Sequence, residues 1–118
     1  MDMETIGSLF RLFSGETDVT MHLPLLYEAA GTVHARLRKG ADAHDIRLAY
    51  LAAAIANMRY AQIYAAREKP TATYAGTIAT KADGAEVLRF AASLASAYVA
   101  VCAPLLEDEG FGFCGVRG

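Results

Sequence analysis

The sequence is short of charge, of cysteine and of long hydrophobic runs, and each shortage removes a class of function. Charged residues make up 20% of 118, and the net charge is −2. A slightly acidic chain, with a pI near 5.9, has no general attraction to phosphate backbones. Its one dense basic patch is Arg36, Arg38 and Lys39, so nucleic acid is not expected as a main partner. The longest uncharged stretch, residues 90–106, is interrupted by Ser93, Ser96 and Pro104. It falls short of the roughly 20 strongly apolar residues a spanning helix needs. Met1-Asp2-Met3-Glu4 carries acids where an export signal carries bases. These features together predict a cytoplasmic protein with no membrane partner.

Two cysteines, Cys102 and Cys114, stand outside any CxxC pair and have no histidine near them in sequence. Zinc is therefore not suggested. Cys102 reads as a small buried hydrophobe and Cys114 as a free thiol, in keeping with a reducing compartment. Catalytic constellations are also missing. Asp42 and Asp45 have a helical i, i+3 spacing, but His44 between them points elsewhere, and capping accounts for both carboxylates. His22 and His34 sit beside no obvious acid in the sequence, and Ser93 and Ser96 lie in a helical pattern without a nucleophile-elbow glycine. Gly110-Phe111-Gly112-Phe113 follows a helix and leads into none, so it lacks the context of a phosphate loop. No enzyme activity, metal or cofactor is expected.

Alanine is abundant: 24 of 118 residues, most of them in two long segments. Alanine is the best helix former and a poor strand former, and its small side chain lets helix axes approach closely. With Leu, Ile, Val and Phe contributing 28 residues, enough apolar surface exists for one folded domain over residues 1–118. The expected fold is all-α, a bundle of three to four helices with a short extended arm or β-hairpin before the last.

Residues 4–13 place Ile6, Leu9, Phe10 and Phe13 on one helical face. A second helix is expected from about Met21–Pro24 to Lys39, with Leu26, Ala30, Val33 and Leu37 buried and Gly40 as its C-terminal cap. Asp42 reads as the N-cap of a third helix running to Glu68 after a link of two or three residues. This helix carries no charge over residues 48–58, so other helices must enclose it; Tyr60 and Tyr64 stack one turn apart near its end. Residues 71–81, with four threonines, Tyr74 and Ile78, favour an extended arm. Asp83 and Glu86 have the spacing of a capping box. The fourth helix then runs to about Leu106, with Val87, Ala91, Leu94, Tyr98, Val101 and Leu105 as its stripe and Pro104 kinking its end. Phe111, Phe113 and Val116 follow in a glycine-rich tail, residues 108–118.

The order of these pieces resembles the head–tail connector family of long-tailed phages, small helical proteins encoded among prophage structural genes. The likeness lies in the helix at 25–37, the alanine-rich 48–64 with Tyr60, Tyr64 and Arg67, the extended insertion, and the last helix. The alanine content of that helix and the Phe-Gly tail depart from the family's pattern. The resemblance implies a ring-forming adaptor between portal and tail, incorporated into a virion, with no catalytic residue. Tyr74, Ile78, Phe111, Phe113 and Val116 are the residues expected to complete interfaces with the next copy or with portal and tail proteins. The competing expectation is a small dimeric binding or regulatory protein, against which a thin alanine-lined bundle argues by leaving little cavity volume.

Overall fold

A computed structural model describes residues 1–67 and 84–107 with their side chains, and residues 75–83 as backbone. Four helices form: α1 (Met3–Ser14), α2 (Leu23–Ala35), α3 (Ile46–Arg67) and α4 (Ala75–Val101), with single 3-10 turns at Thr20–His22 and Ala103–Leu105. This is the expected all-α bundle. Among the described residues the only β feature is an isolated antiparallel bridge between Leu37 and Leu106.

The first helix is built by its ends. The Asp2 carboxylate accepts from the Glu4 amide at 3.1 Å and from the Thr5 hydroxyl at 2.7 Å, occupying donors that no helical carbonyl can reach. Gly15 takes φ +81°, a left-handed conformation that glycine adopts freely, and its N–H returns to the Arg11 carbonyl. Between these caps Ile6 and Phe10 are fully buried. Burial of each contributes about 1.5–3 kcal/mol relative to exposure.

α3 is the axis of the bundle and packs against each of the other three helices. Leu48, Leu51, Ala52, Ala53, Ala54 and Ala56 are completely enclosed, as the charge-free run predicts. Its start is shifted from expectation. Asp42 makes a turn with the His44 amide at 2.9 Å, whereas Asp45 caps the helix through the Arg47 amide at 3.0 Å. Asp45 also holds the Arg47 guanidinium at 3.0 and 2.8 Å, a two-pronged pair at the helix entrance.

α2 ends at Ala35, four residues before the expected Lys39, and the link to α3 is correspondingly longer. The cause is tertiary. The Arg38 amide donates to Leu105 O at 2.8 Å, Glu107 N donates to Arg36 O at 2.9 Å, and the Arg38 guanidinium grips Leu106 O at 3.2 and 3.0 Å. Residues 36–38 thus pair with the segment after α4, which draws them out of the helix. Gly40 does adopt positive φ, at +86°, but in the turn closed by Ala41 N and Arg38 O rather than as a helix cap.

α4 departs most from the sequence reading. Residues 75–81, expected in an extended arm, are helical, and the helix continues through Asp83 and Gly84, where a capping box was expected. Ala75, Ala79 and Ala82 favour helix, and extending a helix already formed costs little, which outweighs the modest extended preference of Thr77 and Thr80. Gly84 is buried in the crossing, where a Cβ would lie 4.0 Å from Ala65 Cα. At the other end Cys102 is buried, its thiol donating to Arg47 O at 3.2 Å. These two contacts set α3 and α4 antiparallel. The helix stops at Val101, and Pro104 lies in the following 3-10 turn instead of kinking it.

Candidate functional site

The residues expected at interfaces are only partly reached by the structure. Tyr74, Phe111, Phe113 and Val116 lie outside the described residues, and Ile78 falls on the backbone of α4 rather than on an extended arm. Two other places hold features that core packing leaves over.

The first is a recess of about 400 Å³ where the end of α1, the 3-10 turn and α3 meet, lined by Glu16, His22, Leu25, Tyr60, Tyr64 and Arg67 among others. α3 presents Tyr60, Tyr64 and Arg67 along one face at helical spacing. The rings of Tyr60 and Tyr64 stack at 6.1 Å and 24°, as read from sequence. The chain beyond Gly15 then carries Glu16 and His22 across. The Tyr60 hydroxyl donates to Glu16 Oε2, and His22 Nε2 lies 3.5 Å from Glu16 Oε1. His22 therefore does have an acid beside it, which its sequence neighbours did not reveal. The buried Phe10 ring packs against both, 5.5 Å from His22 and 5.7 Å from Tyr60.

These contacts perturb both acids. The Tyr60 hydrogen bond, helped by His22, holds the Glu16 carboxyl below the usual range against the opposing effect of burial. Burial first, and the hydrogen bond to Glu16 second, push the Tyr60 phenol up to about 12. Tyr60 accordingly stays protonated and acts as a donor at neutral pH. The network ties the α1–α2 connection to α3 and leaves Glu16 satisfied.

The second place is the outer face of α4. The inward row is Ala91, Ala95 and Cys102, so Val87 and Val101, expected in the buried stripe, lie instead on the outside. Small residues face α3 because the two helices run close together. Large ones are left outward: Val87 is 47% exposed, Phe90 64% and Val101 46%, with Leu94 half-buried and Ala97 exposed between them. Residues 87, 90, 94, 97 and 101 recur at steps of three and four, the repeat of a helix-pairing seam. A shallow groove of about 530 Å³ between α3 and α4 opens on the other side of the buried row, with Leu88, Ala92 and Ser96 in its wall. Gly84–Val101 is long and apolar enough, with a mean hydropathy of 1.2, to cross a membrane by length and composition, and 17% of it is buried. Glu86 and Arg89, 3.8 Å apart, are exposed on that same stretch, and charged groups are costly in hydrocarbon.

Among the described residues no three His, Cys, Asp or Glu side chains gather in a metal-holding group. Asp42 and His44 approach to 3.8 Å with both side chains open to solvent. No protein-family model, curated protein or solved structure matches the chain.

Proposed function

We propose that this chain is a non-enzymatic assembly protein that associates with copies of itself through the outer face of α4, as a subunit of a connector-like ring. The observation that supports this reading is the outward row Val87, Phe90, Leu94, Ala97 and Val101, beside the face of the helix that packs on α3. Five positions at a 3.5-residue average repeat suit a second helix better than an irregular ligand. Pairing of this row with the same row of a second copy is a two-fold contact that closes at a dimer, so joining such pairs into a ring takes a second, different surface on each copy.

Phe90 dominates the energetics. A phenylalanine offers about 200 Å², so its 64% exposure leaves about 130 Å² to bury, worth about 3 kcal/mol at 25 cal/mol per Å². Lost rigid-body freedom offsets much of that gain, so α4 alone supports a weak, concentration-dependent association. A ring joined to a portal would supply further contacts.

Sedimentation velocity across a hundredfold concentration range tests the proposal. The parent chain should shift to larger species as concentration rises, whereas Val87→Ser/Phe90→Ser should remain monomeric with unchanged helicity. A parent chain that stays monomeric throughout, or a double variant that associates equally well, rejects the α4 surface.

A further inference from the structure

We infer that the recess between Tyr60 and Arg67 binds a small amphipathic carboxylate, with its head on the Arg67 guanidinium and its hydrocarbon body against Met21, Ile63 and Tyr64. This inference is independent of the association through α4, because the recess is lined by the α1–α2 connection, α2 and α3.

Its polar groups divide into spent and unspent. Glu16 already accepts from Tyr60 and faces His22. Arg67 lines the same recess, and among the described residues no hydrogen bond or ion pair engages its guanidinium. Its charge reaches the Tyr60 phenol, where it opposes the upward push of burial. A planar guanidinium presents paired N–H groups that match a carboxylate in two-pronged geometry.

The apolar part of the wall is also unspent. Met21 is 82% exposed, Tyr64 42% and Ile63 41%, and all three border the recess. The volume of about 400 Å³ lies at the small end of the range for organic-ligand pockets, which suits one ring or a short alkyl chain. The nearby Glu16 charge disfavours a doubly charged head, which selects a monocarboxylate over a phosphate monoester.

The probe is 3-phenylpropionate titrated into the full chain and followed by amide chemical shifts. A ligand of about eleven non-hydrogen atoms is expected to bind with a dissociation constant of about a millimolar. Shifts should cluster at residues 21–25 and 60–67. Arg67→Gln should weaken binding tenfold or more with the remaining spectrum unchanged, and Arg67→Lys should restore part of it. The amine analogue 3-phenylpropylamine should not bind at the recess. Absence of saturable shifts at 10 mM, equal binding by Arg67→Gln, or equal binding of the amine overturns the inference. Tighter binding of phenyl phosphate overturns the assignment to carboxylates.

Discussion

Replacing Gly84 by alanine should stabilise the protein, and replacing it by leucine should do the opposite. Gly84 is an interior residue of α4 and is buried against α3. Glycine in a helix interior costs about 0.5–1 kcal/mol relative to alanine, because the unfolded chain loses more freedom. An added Cβ would lie 4.0 Å from Ala65 Cα, an ordinary van der Waals contact, so the methyl fits without moving either helix. The unfolding entropy of a 118-residue chain is about 0.25 kcal/mol per kelvin. A gain of about 1 kcal/mol therefore raises Tm by about 4 °C. Leucine has no such room. Its extra atoms must separate helices already in contact, at a cost of about 1–3 kcal/mol, and Tm falls by about 4–12 °C. Thermal unfolding followed by circular dichroism measures both variants, with urea titrations to check that the denaturant slope is constant. If Gly84 instead opened the helix after an Asp83 cap, both variants would be nearly neutral. That result, or a destabilising alanine, would refute the crossing described here.

Two further outcomes follow from individual side chains. Cys102 is fully buried and its thiol is pushed up to about 11 by burial. In a Cys114→Ser background it should resist iodoacetamide at pH 8 until urea unfolds the chain, and alkylation at the rate of a free thiol would contradict its placement. Asp45 is lowered from 3.8 to about 2 by the Arg47 side chain first and the Arg47 amide second. A carboxyl depressed on folding adds stability that is complete above its unfolded value and is lost as pH falls through the folded one. The urea midpoint should therefore decline between about pH 4 and 2, and Asp45→Asn should flatten that decline; parallel slopes in the two proteins would show that the pair does not form.

The parts of this fold that were legible in the sequence are those governed by local rules. The Ile6–Phe10 face, the enclosed 48–58 run and the Tyr60–Tyr64 stack each follow from helical spacing alone, and the structure contains all three. The extended reading of 71–81 failed over residues 75–81 because threonine's extended preference is weak and yields to the alanine-rich helix that continues through it. The early end of α2 was invisible because its competitor, Leu105–Glu107, lies about seventy residues away in sequence. Of the recess, the Tyr60, Tyr64, Arg67 register could be read directly. Glu16 and His22 could not be joined to it, since a loop's path depends on what it packs against.

Composition and periodicity determined that this chain is helical, that α3 lies at its centre, and that alanine makes its seams thin. Only the tertiary structure decided which face of α4 is buried. Period gives the spacing of a stripe but not its direction when apolar residues occupy most of a helix's circumference. Close approach at Gly84 and Ala65 favours the small side chains at that seam. The alanine row is therefore turned inward, and Val87, Phe90 and Val101 are left facing out.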